Sequence, residues 1–380
     1  MSRVAVVAGA LLLVGCAVAA FPEFVIHGPP IPRDQRPHGP HAPWNRPVTD
    51  LPRHADGNRL VELLWTGASD RPGNFNINMD EAFAVYFTEE ATTRLPVSDR
   101  LGGALDGRVL AWHPDWRIPP GSDRKVILLD RAAGRELNLF QVFVESGRLR
   151  VGNGSAVPGR YDTYEGVNPP SRGAGIQYSA MLVRPFEIER GAIDHALAMS
   201  INNTDGTAFV SPASKLEHPG RPTGIPEGTR FALTISDAEV EAWIGSLPPE
   251  VRLRMEGAAR TVARALRDYG WFITDTGGAG SFEFEARASA EVVWERLGLA
   301  DLEGRDGKLY PRDLLDGLFT RWNIVALASS DHYPPPRRNE HRVSRHQPGG
   351  TGGRRRPDRG GPVPLRQGRA ASRRPARFPR

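Results

Sequence analysis

His195 and Glu187, eight residues apart, are the pair in this chain whose side chains best suit acid–base chemistry. A neutral imidazole exchanges protons near neutral pH, and a neighbouring carboxylate orients the ring and stabilises its charged form. Read as a strand, Ile193-Asp194-His195-Ala196-Leu197 puts Ile193, His195 and Leu197 on one face. Arg184 can either contact a ligand or brace the turn by pairing with Glu187. A buried His held by a backbone carbonyl is the competing structural reading of His195. Asp123 and Asp130 flank a predicted strand and add two carboxylates. Glu187, His195, Asp123 and Asp130 are therefore the candidate catalytic set for a hydrolase or lyase.

Two further groups suit ligand binding. Asn74-Phe75-Asn76-Ile77-Asn78-Met79-Asp80 alternates polar and apolar residues. As a strand it sets three amides and Asp80 on one side. Amides both donate to and accept from sugar hydroxyls, and the oxygens of Asn76, Asn78 and Asp80 could also hold Ca²⁺. An ordinary solvent face explains the alternation equally well. Trp112 and Trp116 could supply aromatic platforms for a glycan, or simply pack. The sequence contains no Gly-x-Ser-x-Gly elbow, no phosphate-cradling loop and no His-Glu-x-x-His.

The elements that must position these residues read as mainly β. Short apolar runs at 82–88, 108–112, 125–130, 136–144, 148–151, 193–201 and 230–234 are divided by Gly, Pro and Asn. The middle of this series reads as a β-meander. Helices come late: one opens on the capping box Ser236-Asp237-Ala238-Glu239, and one follows Pro248-Pro249. A short third helix is capped by Ser289. The long middle helix buries Val251, Met255, Ala258, Val262 and Leu266. Segments 271–275 and 282–285 read as a hairpin. The expected architecture is an antiparallel β-sandwich, jelly-roll-like, with two or three helices packed toward the C-terminal side.

Some of these residues form a pattern. Arg184-Pro185, Glu187-Ile188, Gly191, Ile193 and His195-Ala196-Leu197, followed by Ile225-Pro226-Glu227-Gly228-Thr229-Arg230, resemble a family of secreted, largely actinobacterial β-rich proteins of unassigned function. The resemblance spans roughly 119–275 and implies a secreted β-rich domain. It also implies a Ser-Asp-x-His turn, which here is Ser122-Asp123-Arg124-Lys125 with Lys in place of His. The family's Tyr-Asp-x-Trp-Gln strand becomes Leu137-Asn138-Leu139-Phe140-Gln141. A base and a carboxylate have therefore been replaced.

The N-terminus supplies an address. Arg3, an apolar run and Leu13-Val14-Gly15-Cys16 form a signal peptide ending in a lipobox, with Cys16 the lipidation site. Cleavage near Ala20, or retention of the apolar run as an anchor, are the alternatives. The expected organisation is a signal region at 1–20, a Pro-rich tether at 21–53, a β-rich domain at 54–330 and a disordered tail at 331–380. From Pro334 onward there are fourteen Arg, no Lys and two acids, a charge of +12; the rest of the chain is −7 and the whole +5. That tail reads as solvated, or as an out-of-frame read of GC-rich DNA, so its charge implies no specific nucleic-acid partner. With one cysteine no internal disulfide forms. The sequence thus supports an extracytoplasmic protein, lipid-anchored at the membrane or secreted. A polysaccharide is its expected partner, and a structural envelope lipoprotein is the alternative.

Overall fold

The structure, a computed structural model, describes residues 29–49, 51–157, 159–164, 172–218, 223–278 and 280–328. Cys16, the signal region and the Arg-rich tail lie outside the described residues. Helix α1 (Gly57–Gly67) precedes β1 (Asn76–Asn78), β2 (Ala84–Phe87), β3 (Thr93–Asp99) and β4 (Val109–Trp112). Next come β5 (Val126–Asp130), β6 (Arg135–Phe140), β7 (Phe143–Glu145), β8 (Arg148–Val151) and β9 (Asn153–Ala156). The short helix α2 (Pro185–Arg190) leads to β10 (Leu197–Ile201), β11 (Thr204–Phe209), β12 (Ile225–Glu227) and β13 (Arg230–Leu233). Helices α3 (Asp237–Ser246) and α4 (Pro249–Asp268) are followed by β14 (Trp271–Thr276), β15 (Ser281–Glu283) and α5 (Arg287–Arg296). The last described elements are β16 (Leu302–Glu303), β17 (Leu309–Tyr310) and β18 (Ile324–Leu327).

The protein is mainly β, and three of its five described α-helices, the 20-residue α4 among them, fall in the C-terminal half. The largest sheet has the order β1-β15-β10-β14-β13-β18. One of its faces buries Leu197, Met199, Phe231, Trp271 and Ile273 against Val251, Met255, Val262 and Leu266 of α4. Each such side chain contributes roughly 1.5–3 kcal/mol by leaving water. The other face places Ala196, Ala198 and Phe272 against Trp44, Ala174, Ile176 and Met181. Two four-stranded sheets, β2-β5-β6-β9 and β4-β3-β8-β7, share a second core around Tyr86, Trp112, Leu128, Leu139 and Leu149. The opposite side of β2 and β5 buries Phe83, Val85, Ile127 and Leu129 against Tyr178 and Leu182. Buried on both faces, these strands read as continuous apolar runs.

Several expectations are corrected. The sheets are mixed, with β1–β15, β10–β14, β2–β5, β3–β8 and β11–β12 parallel, so the all-antiparallel pairing of a jelly roll does not form. Segments 271–275 and 282–285 are no hairpin, because β10 lies between β14 and β15 and pairs with both. The meander splits: β5–β6 and β7–β8 are hairpins in different sheets. Helix α1 forms where only loops and strands were expected. Helix α5 starts two residues before Ser289, whose hydroxyl instead donates to Glu285 and accepts from the Val85 N–H. The Pro-rich segment is no free tether from residue 29 onward. Ile31 and Trp44 are each 1 % exposed, and Trp44 O accepts the Ala196 N–H at 2.7 Å.

Candidate functional site

His195 and Glu187 do meet, and both are buried. The His195 Nε2 lies 3.0 Å from Glu187 Oε1, and Nδ1 lies 2.8 Å from the Ala196 carbonyl. Both ring nitrogens therefore face acceptors, the arrangement an imidazolium satisfies best. Burial alone would depress the ring's pKa. The Glu187 charge and hydrogen bond outweigh it and hold His195 above its ordinary value. The second Glu187 oxygen accepts the Arg184 N–H at 2.8 Å, closing the first turn of α2. The Arg184 guanidinium turns away to Glu285 at 2.5 Å. With His195 at 2 %, Glu187 at 1 % and Arg184 at 6 % exposure, this network braces α2 against the sheet and offers little surface to a ligand.

The other sequence candidates are scattered. Asp130 accepts from the Ala133 N–H and from Arg135, bracing the β5–β6 turn. Asn74 sits in the turn before β1, its N–H on the Arg71 carbonyl. Asn76 is buried and accepts from the Ser281 hydroxyl. The Asn78 side-chain oxygen accepts the N–H groups of Asp80 and Glu81, and Asp80 pairs with Arg287. These contacts draw the polar groups of the Asn/Asp segment into local structure, away from a common ligand. Among the described residues no group of three or more His, Cys, Asp or Glu is placed to hold a metal ion. Trp112 is 1 % exposed, and half-buried Trp116 stacks on Tyr86 with ring centres 4.6 Å apart. Both indoles pack, so neither forms an open platform.

Asp123 alone of the sequence candidates adjoins a denser cluster. It lies 3.3 Å from the ammonium of Lys125, the residue standing where the resemblance implies a His. The charges of Lys125 and of buried Arg172 both act on Asp275, at the end of β14. Arg172 is fixed by Glu283 and by the carbonyls of Gln177, Tyr178 and Ala180, and lies over the Phe83 ring. Asp275 meets Glu217 carboxyl to carboxyl, and both accept the Thr276 N–H, at 3.1 and 2.6 Å. Glu227, 1 % exposed, accepts the Glu217 N–H at 3.3 Å. Three carboxyls thus converge.

Close carboxyls cannot all ionise. Burial, then the charge of Glu217, pushes Asp275 up to about 7, with Lys125 and Arg172 opposing. Burial, then the charge of Asp275, pushes Glu227 up to about 7 as well. Gly173 makes the approach possible. A Cβ there would sit 2.3 Å from Glu217 Oε2 and 2.6 Å from Asp275 Oδ1, so both oxygens crowd the space that only glycine leaves open.

Asp275 is aimed by an irregularity. β10 and β14 pair Met199 with Ile273 but Ser200 with Asp275, which leaves Thr274 as an extra residue. Without it, Asp275 would follow Trp271 and Ile273 into the core under α4. The extra residue turns it to the opposite face, where Arg172 and Gly173 lie. Glu227 is placed by the Ile-Pro-Glu-Gly turn. Gly228 has φ +87°, and its Cβ position is 1.8 Å from the Val210 carbonyl, so only glycine fits. In the sequence Glu227 belongs to the Ile-Pro-Glu-Gly motif and Asp275 to an apolar run, and nothing around Glu217 marks it. An acid ending an apolar strand just before a Gly-rich loop was the available signal for Asp275.

Comparison with protein-family models, with curated proteins and with solved structures finds no match to this chain. The resemblance to the secreted family rests on the quoted motifs alone.

Proposed function

We propose that this protein is an extracytoplasmic, membrane-tethered domain that acts on a polysaccharide, with Asp275 as proton donor and Glu217 as base. The observation that carries the reading is the meeting of these two carboxyls in the space left by Gly173, with Asp275 held protonated up to about pH 7. A side-by-side pair leaves no room for the water that an inverting glycosidase places on the far face of the sugar. It suits β-elimination on a uronate-containing chain. Glu217 removes the proton next to the sugar carboxylate, the glycosidic C–O bond breaks, and Asp275 protonates the departing oxygen.

The test is to incubate the mature protein with alginate, polygalacturonate and hyaluronan, and to follow the ultraviolet absorbance of unsaturated ends together with new reducing ends. Turnover abolished by Asp275→Asn and by Glu217→Gln supports the reading. Turnover that both variants retain excludes this pair.

The second reading is a structural envelope lipoprotein without a small ligand. It is favoured by the complete burial of the His195–Glu187 and Arg184–Glu285 pairs. A wild-type protein inert on every polysaccharide in the panel would favour it.

A further inference from the structure

Trp322 is 82 % exposed, an unusual position for the residue type with the largest apolar surface. It stands just before β18, the edge strand of the largest sheet, and borders a groove of about 510 Å³ between β18 and α1. A groove of that size is ordinary for ligand sites. The indole is not a loose appendage. The Arg321 guanidinium lies 4.9 Å from its ring centre, and the same guanidinium forms an ion pair with Glu62 of α1 at 2.7 Å. Arg321 therefore connects the aromatic surface to a helix, and a ring so placed loses less freedom when a ligand stacks on it.

The rest of the groove is polar. His54 accepts the Asp56 N–H on Nδ1 at 3.0 Å, so its neutral ring carries the proton on Nε2 and can donate. The Asn58 amide, at the start of α1, adds a donor and an acceptor. Arg53 and Arg321 face the single acid Glu62, which leaves an excess of positive charge. An exposed indole, hydrogen-bonding groups of both kinds and surplus guanidinium match one chemistry well: a pyranose ring carrying a carboxylate. The apolar C–H face stacks on the indole, the hydroxyls meet Asn58 and His54, and the carboxylate meets the Arg fork.

We infer that the Trp322 groove is a binding site for acidic polysaccharide, separate from the carboxyl pair. The sheet register sets the separation. Trp271 and Ala326 both align with Phe231, so Asp275 lies three ladder positions beyond that level in one direction, Thr274 being the extra residue, and Ile324 lies two beyond it in the other. At about 3.3 Å per position the two places are roughly 15 Å apart along the strands. The inference shares a glycan class with the proposed function and uses none of its residues, so the two can fail independently.

The test is calorimetric titration of the full chain with an alginate hexasaccharide, with cellohexaose as the neutral arm. The expected result is selective alginate binding. Trp322→Ala should weaken it about tenfold or more, and Trp322→Phe should retain most of it. Arg321→Gln should reduce the preference over cellohexaose. An unchanged melting temperature in Trp322→Ala, expected for so exposed a side chain, separates loss of binding from loss of fold. Absence of alginate binding in the wild type, equal binding by Trp322→Ala, or a preference for cellohexaose would each overturn the assignment.

Discussion

Glu217 and Asp275 occupy a space that exists because residue 173 has no side chain: their oxygens lie 2.3 and 2.6 Å from the point where a Cβ would stand. They arrive from distant parts of the chain, Glu217 from the segment after β11 and Asp275 from the end of β14. A methyl group at residue 173 must displace one or both carboxyls. Gly173→Ala should therefore fold and lose activity on the order of 100-fold, since small misplacements of reacting groups have effects of that size. Parallel measurements of turnover and thermal melting check this. Full activity in a folded Gly173→Ala protein would falsify the role given to the pair.

The proton held by Asp275 links this site to stability. An Asp whose folded pKa is raised to about 7 favours the folded state at low pH, and that contribution is lost as pH rises from about 4 through 7. Asp275→Asn removes the penalty of ionisation. Its melting temperature should match the wild type near pH 4 and exceed it at pH 8 by on the order of a few °C. Thermal scans across that pH range decide the matter, and a difference independent of pH would contradict the raised pKa.

Lys125 opposes the rise in Asp275. Replacing it with Met should move the alkaline limb of any pH–rate profile upward, because the proton donor then keeps its proton to higher pH. A downward shift, or none in an otherwise active variant, would show that the ammonium does not act on Asp275.

His195 has the same sign as Asp275. Its folded pKa is raised by Glu187, so its stabilising contribution is complete below the ordinary imidazole value and is lost as pH rises through the raised one. His195→Ala leaves the Glu187 carboxylate buried without its partner and should cost about 3–5 kcal/mol. The deficit should be largest in mildly acidic solution. Denaturant titration of the variant and wild type at several pH values tests both statements.

The sequence pattern carried the scaffold better than the chemistry. The stripe from Val251 to Leu266 and the capping box at Ser236 were legible because each is a local repeat or contact, and both helices form there. Pairing was not legible, since β14 and β15 are close in sequence yet separated by β10. Simple alternation along β14 would put Asp275 on the face of Trp271 and Ile273. One extra residue at Thr274 reverses the face it occupies, and a parallel ladder with a distant strand is needed to see that. His195 and Glu187 were correctly brought together, but burial is a property of the assembled layers and turned a candidate catalytic pair into a brace. Glu217 sits in an irregular segment with no periodicity to mark it.

The burial of Ile31 sets a leash. Fifteen residues separate it from Cys16, and an extended chain of that length reaches at most about 50 Å. With the lipid on Cys16, the carboxyl pair and the Trp322 groove are confined to glycan next to the membrane, and free polymer must diffuse to them. With cleavage near Phe21 the same domain roams. Mass spectrometry of the mature N-terminus therefore distinguishes a stationary domain from a diffusing one.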